Sequence, residues 1–302
     1  MTPIGYQSEA YARALHHGDA TPLPHAQSWW IRRQIPGSPL FDGMGTYPLL
    51  CCGDWSRLAG DLAALGDEIV SFTAVVDPLG DYDEAMLREA FPDVLYPYKQ
   101  HYTVDLRQAL VEPKGSNHRR NLRKALQMVS VEVCHSPASV ANDWINLYAN
   151  LVSRHNISGY ANFSPLSLRQ QLEVPGMVVF RAYVGEETLG IQLWLRQGDN
   201  AYYHLSAQSG RGYELRSSYA LFWYAFHFFQ ESGAVIANLG SGAGTTTGSK
   251  GLSDFKAGWA DSQRVAWLGG RILNRDGYRR LTAGLVSAPP YFPQYRAPVA
   301  VV

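Results

Sequence analysis

One lysine stands in an unusual setting. Gly248 to Ala260 read GSKGLSDFKAGWA, with Lys256 directly after Phe255 and three residues before Trp259. Glycine-rich backbone bends readily, so such a segment can bring an ammonium to a negative charge, either a developing oxyanion or a phosphate. The competing reading is an ordinary surface lysine, and Asp254 beside it is then a turn residue. A second constellation lies in NAYYHLSAQS, which carries Tyr203, His204 and Ser206. Strict alternation along a strand puts Tyr203 and Leu205 on one face and His204 with Ser206 on the other. Histidine titrates at ~6.5 when unperturbed, so His204 is a candidate base, or a hydrogen-bonded core residue. A third is GRGYELRSS, between a strand and a helix. Gly210, Arg211, Gly212, Arg216 and Ser217 there could hold an anion at a helix N-terminus, although Ser217 could equally be a cap. The fourth is KGSNHRRNLRKALQMV. It sets Leu122, Leu126 and Val129 on one helical face and Arg119, Arg120, Arg123 and Lys124 on another. That basic stripe is a solvated face or a phosphate contact.

These residues need elements to position them. SEAYARAL reads as a short helix, WWIRRQI as a strand and TYPLLCC as a buried strand. DWSRLAGDLAAL has helical period with Asp54 as its cap. IVSFTAVVDP is a strand stopped by Pro78, YDEAMLREAF a helix and QHYTVDL a strand. ANDWINLYANLVSRH is an amphipathic helix. MVVFRAYVG, ETLGIQLWLRQG and NAYYHLSAQS follow as three strands joined by hairpin turns. GRGYELRS is expected to be a loop. SYALFWYAFHFFQES is apolar nearly all round, hence a buried helix, with Gly233 just past its end. AVIANLGS and RVAWLGGRIL are late strands on either side of a glycine-rich loop.

Composition narrows the class. The 302 residues are 46% hydrophobic and 17% charged, as in a globular chain of one large or two small domains. Lys plus Arg equals Asp plus Glu at 26 each, so no overall field draws the chain to nucleic acid or anionic lipid. Three cysteines, two of them adjacent at Cys51 and Cys52, do not make a disulfide framework and suit a reducing compartment. Neither a signal-peptide pattern nor an apolar run near the ~20 residues of a membrane span is visible, so a cytoplasmic protein is expected. The histidines lack metal-ligand spacing, and no phosphate loop, dinucleotide fingerprint or nucleophile elbow is present.

Four motifs in order resemble one family. FTAVVDP (Phe72 to Pro78), HYTVDL (His101 to Leu106), HRRNLRKAL (His118 to Leu126) and GLSDFKAGW (Gly251 to Trp259) resemble segments of the Fem-type, tandem-GNAT aminoacyltransferases and their GNAT-like relatives. The resemblance spans nearly the whole chain. It implies an α/β fold of two GNAT-like mixed-sheet halves in tandem, the first abbreviated, divided as 1–115 and 116–302. It implies transfer of an acyl or aminoacyl group to an amine from an activated donor: an aminoacyl-tRNA, an acyl-CoA or a carrier-protein thioester. No tightly bound cofactor and no metal are expected. The chain lacks the long helical-hairpin insertion of some cell-wall members, which favours a small-molecule or peptide acceptor.

On this resemblance Lys256 belongs at the active centre, with Phe255 beside it, and stabilises the oxyanion during direct attack. The expected catalytic set is Lys256, His204 and Tyr203. The expected donor-binding set is Phe255, Ser206, Gly210, Arg211, Gly212, Arg216 and Ser217, with Arg119, Arg120 and Arg123 reaching tRNA phosphates. The reading from another class is a non-catalytic GNAT-like module that binds a nucleotide-bearing or peptide ligand.

Overall fold

Alternating strands and helices along the chain build a mixed α/β protein, seen here in a computed structural model that describes residues 3–110, 112–242, 250–285 and 291–297. The chain forms two compact units. The first takes residues 1–99 and 265–302, and the second takes residues 100–264. These boundaries differ from a single division at 115/116, because the last strand returns to the first unit.

The first unit contains helix α1 (Glu9–Ala14), strands β1 (Asp19–Leu23), β2 (Ser28–Gln34) and β3 (Phe41–Gly45), helix α2 (Leu58–Ala63), strand β4 (Ile69–Val75) and helix α3 (Glu84–Ala90). The start of β5 (Val94–Asp105) also belongs to it. Its sheet runs β1-β2-β3-β4 and is continued by β11 (Ser262–Ile272), antiparallel to β4. Only the β3–β4 pair is parallel. Trp30, Phe72, Leu58, Leu62, Leu87 and Phe91 fill the core. Asp54 does cap the turn before α2, accepting from the Ser56 N–H. The segment TYPLLCC is buried as expected but is not a strand. A cis peptide precedes Pro48, and only Leu50 bridges to Val76. The strand at this position is β3, whose two glycines hide it from a propensity argument. Gly43 is required there, since a Cβ would come within 2.6 Å of the Phe72 ring.

The second unit contains the end of β5, helix α4 (Ser116–Met128), strand β6 (Ser130–Val133), helices α5 (Ala141–His155) and α6 (Pro165–Gln171), and strands β7 (Met177–Val184), β8 (Glu187–Gln197) and β9 (Asn200–Gln208). It continues with helices α7 (Gly210–Leu215) and α8 (Ser217–Glu231), strand β10 (Ile236–Asn238) and helix α9 (Lys250–Trp259). Its strand order is β5-β10-β9-β8-β7-β6, with β9 and β10 parallel and the other pairs antiparallel. Helix α8 presses Phe222, Phe226 and Phe229 onto Trp194 and Phe180, with Leu122 and Ala125 of α4 and Trp259 of α9 in the same cluster. Leu193 and Leu195 are equally buried yet lie outside that cluster. They point to the opposite face of the sheet, where α5 meets β8 and β9.

Two glycine-rich segments expected to be loops are helices. GRGYEL is α7, and KGLSDFKAGW is α9. In each, one glycine answers to packing rather than pliability. A Cβ on Gly212 would stand 2.2 Å from the Leu189 carbonyl oxygen, and one on Gly258 would stand 2.0 Å from His118 Nδ1. The run 243–249 that precedes α9 lies outside the described residues. Helix α10 (Arg275–Thr282) follows β11 in the first unit.

Candidate active site

The site begins where two parallel strands part. Strand β10 pairs with β9 only from Ile236–Asn200 to Asn238–Tyr202. Beyond Asn238 the chain follows β5 instead: Leu239 N donates to Tyr102 O at 2.8 Å, and Tyr102 N donates to Gly240 O at 3.0 Å. Strand β9 runs on to Gln208. From Tyr203 onward it therefore has β8 on one side and, among the described residues, no strand on the other.

Lys256 stands at this fork. Its position on α9 turns it inward, with only 4% of its surface exposed. The ammonium donates to the Ser241 carbonyl at 2.6 Å and lies 5.1 Å from the centroid of the Tyr203 ring. Gly240 lies beside it. Its φ of +71° is a left-handed conformation suited to glycine, and a Cβ there would sit 3.4 Å from Lys256 Nζ. An ammonium buried on a ring face and a backbone carbonyl is a cation held in a low-dielectric setting, where it acts strongly on any negative charge that forms beside it.

A bulge corrects the expected alternation. Leu193 opposes Leu205, but Trp194 opposes Tyr203, so His204 is an extra residue with no partner on β8. The phase shifts by one. Tyr203 keeps the face of Trp194 and Phe222, and Ser206 joins that same face through its pairing with Gln192. The Tyr203 hydroxyl bonds to Ser206 and is pushed up to about 12 by burial, so it stays protonated at neutral pH. Gln208 Nε2 donates to Ser206 Oγ at 2.6 Å. This row of polar groups runs along β9 beside the fork.

His204 goes the other way. Its Nε2 lies 2.8 Å from Gln171 Oε1 on α6, and burial pushes its pKa down to about 3. It is a neutral core histidine on the face away from Lys256, not a base in the same site.

The remaining expected residues divide. Phe255 does flank Lys256, but its ring packs against Tyr219, Phe222 and His118 at 5.0, 5.1 and 6.2 Å, so it braces α9 on α8 and α4. Gly212 N bonds to the Ser209 side chain at 3.0 Å and so is taken as a cap. Arg211 pairs with Glu187. Gly210 and Arg216 are exposed, and Arg216 has the left-handed φ of +63° that separates α7 from α8. Ser217 opens α8 fully buried, and its hydroxyl has no hydrogen-bond partner among the described residues. Gln192, also fully buried opposite Ser206, has neither amide atom satisfied among them. Buried polar groups ordinarily find partners, so this face of the sheet holds unmet hydrogen-bonding capacity close to the fork.

Helix α4 connects the motifs. Lys114 N and Nζ donate to Gly258 O and Ala260 O, both at 2.7 Å, and His118 lies against Gly258. Arg119, Arg120 and Arg123 all point outward, away from the fork.

Sequence reasoning missed the Gly240–Ser241 carbonyl contact, Gln208, Gln192 and His118. The only available signal was the pairing of a glycine in one motif with a histidine in another. Among the described residues no group of three His, Cys, Asp or Glu side chains could hold a metal ion, and no helix is long and apolar enough to cross a membrane.

Comparisons with known proteins bear on the domain and the fold. The acetyltransferase (GNAT) domain family matches residues 114–248. No curated protein matches the chain. Among solved structures, FemX superposes with a TM-score of 0.68 at 13% identity, over 92% of this chain and 95% of its own. The DUF2156 domain of a lysylphosphatidylglycerol synthetase-like protein from Agrobacterium fabrum gives 0.59 at 16%, over 91% and 88%. L-PGS from Bacillus licheniformis gives 0.53 at 14%, over 89% and 92%. At these identities the likeness is one of fold. Residues 114–248 thus match the acetyltransferase (GNAT) domain family, and nearly the whole chain shares the fold of FemX.

Proposed function

We propose that the protein transfers an acyl or aminoacyl group from an activated donor to an amine by direct attack, with Lys256 stabilising the oxyanion. The observation that carries this reading is the buried Lys256 ammonium at the fork between β9 and β10. The donor lies along β9, whose unpaired edge beyond Tyr202 offers backbone groups to an extended ligand, as an added strand would use them. The amine attacks the donor carbonyl. The C–N bond forms, the C–O or C–S bond breaks, and the amine proton ends on the leaving oxygen or sulfur. Negative charge on the tetrahedral carbonyl oxygen is met by the ammonium. The protonated Tyr203 hydroxyl, held by Ser206, is a donor for the leaving atom. His204 takes no part.

Three donors suit this chemistry: an aminoacyl-tRNA, an acyl-CoA and a carrier-protein thioester. Phosphates of the first two would meet Arg216 and Ser217 at the α7–α8 junction, or Arg119, Arg120 and Arg123 on α4. Unmet polar groups at Gln192 and Ser217 support a polar donor arm in this region. The acceptor is the amine of a small molecule or peptide, in cytoplasmic biosynthesis. The test is a donor screen with a broad amine pool, following donor loss and amide formation by mass spectrometry, with Lys256→Met run in parallel. Amide formation that Lys256→Met abolishes supports the reading. No donor consumed, or full activity in the variant, sinks it.

A further inference from the structure

We infer that the outer face of α4 docks an acidic helix of a partner protein, one that carries the acyl donor as a thioester. The inference rests on the acyl-transfer reading above and chooses among its donors.

Helix α4 has no acidic residue. Its inner side buries Leu122 and Ala125, while Ser116, Arg119, Arg120, Arg123, Lys124 and Gln127 line one open basin outside. This face already binds a carboxylate. Arg123 Nε and Nη2 donate to Glu112 Oε1 and Oε2 at 3.1 and 2.8 Å. The hydrogen bond from Arg123, then the nearby charges of Arg123 and Arg119, hold the Glu112 carboxyl below its ordinary range. Among the described residues Arg120 has no ion-pair partner, and Lys124 reaches only the Glu214 carbonyl at 3.3 Å.

Charge alone would suit RNA as well. What separates the two is the pair of apolar residues beside the cations, Leu126 at 48% and Met128 at 50% exposure. At 100° per residue, Leu126 falls next to Arg119 and Arg123, and Met128 next to Lys124, so apolar groups edge the basic stripe on both sides. A phosphodiester backbone has no use for them. Single-stranded bases call for aromatic stacking, and this face carries no aromatic side chain. An acidic amphipathic helix supplies both partners at once, carboxylates for the stripe and apolar side chains for its edges.

The placement serves the reaction. On its inner side α4 touches α9 through His118, 6.2 Å from the Phe255 ring. A protein docked outside α4 is thus about one helix diameter, ~10 Å, from the helix that carries Lys256. A flexible thioester arm spans that gap. There the C–S bond breaks, the C–N bond forms, and the amine proton passes to the departing sulfur.

The test uses fluorescence anisotropy with two probes, an acidic acyl carrier protein bearing an acetylated phosphopantetheine arm and mixed deacylated tRNA, across a salt series. The expected result is that the carrier binds more tightly than tRNA. The double variant Leu126→Ser/Met128→Ser, unchanged in thermal melting, should weaken carrier binding about tenfold and leave tRNA binding alone. Transfer from a small diffusible thioester should remain at the wild-type rate in that variant, while transfer from the carrier falls. Tighter binding of tRNA than of carrier, no binding of the carrier, or no effect of the double variant overturns the inference. Failure of the small thioester with wild-type protein strikes the acyl-transfer reading instead, and leaves the docking measurement intact.

Discussion

Tyr203 and His204 are neighbours in the chain and stand on opposite faces of one strand. Tyr203 has the Lys256 ammonium 5.1 Å from its ring, with Ser206 and Gln208 extending its polar contacts along an unpaired edge. His204 has a glutamine for a partner and is surrounded by core. By residue type the histidine is the better acid–base group, since its unperturbed pKa is near neutrality. Burial reverses this ranking. It pushes His204 to about 3 and keeps it neutral, and it raises the Tyr203 hydroxyl so that a proton is always there to donate. The comparison teaches that a single extra residue in β9 decides which polar groups share the face of Lys256.

Four substitutions probe that comparison. Lys256→Met keeps the length of the side chain and removes its charge. Turnover should fall about 100- to 1000-fold with the far-UV circular dichroism unchanged, the size of loss seen when one oxyanion donor is removed. Tyr203→Phe keeps the ring under the ammonium and removes the hydroxyl. A drop in kcat of about tenfold is expected, as for one hydrogen bond to a leaving atom. Wild-type kcat would show that the ring alone matters. Ser206→Ala tests the phase of the strand. If Ser206 shares the face of Tyr203, kcat should fall about threefold with KM little changed; a silent Ser206→Ala would put the residue back on the His204 side.

His204→Gln should leave kcat within about twofold of wild type, and a large loss would return the histidine to the mechanism. It should also alter acid stability, with a sign set by the low folded pKa. Unfolded, the histidine titrates near ~6.5; folded, near 3. Its contribution is fully present above pH ~6.5 and is lost as pH falls from there toward 3, because only the unfolded chain takes up the proton. The variant should therefore have an acid-unfolding midpoint lower by roughly half a pH unit. His17, pushed down to about 4 chiefly by burial, keeps the same kind of acid sensitivity in the first unit.

The regular periodicities were readable because they are local. The helical stripe of α5, the all-round apolarity of α8, the three-strand meander and the Asp54 cap all follow from spacing and side-chain type. Lys256 is visible in sequence as a lysine between aromatic residues in a glycine-rich run, but its burial is not. What surrounds it was not readable. The reason for Gly258 lies in His118, more than a hundred residues earlier, and a glycine whose role is close packing looks the same in sequence as one that permits a turn. For that reason α9 was expected as a loop. The bulge at His204 is likewise set by pairing with β8 rather than by any local residue preference, so the alternation rule failed at the one strand where it mattered. Strand β3 escaped for a related reason: Gly43 is required by Phe72 and Trp30, and Gly45 by Ala74 and Leu50.

The order of the two units along the chain has a consequence for how the protein is made. The second unit, residues 100–264, is continuous, whereas the first is completed only when β11 pairs with β4, bringing Ile272 to Ser71. During synthesis the second unit has all its strands before the other has its last one. Pairing over so long a separation is slow, and until it happens the β4 edge stays open to wrong partners. Residues 100–264 expressed alone should give a cooperative thermal transition, and residues 1–264 should be trimmed by protease to a fragment of the second unit.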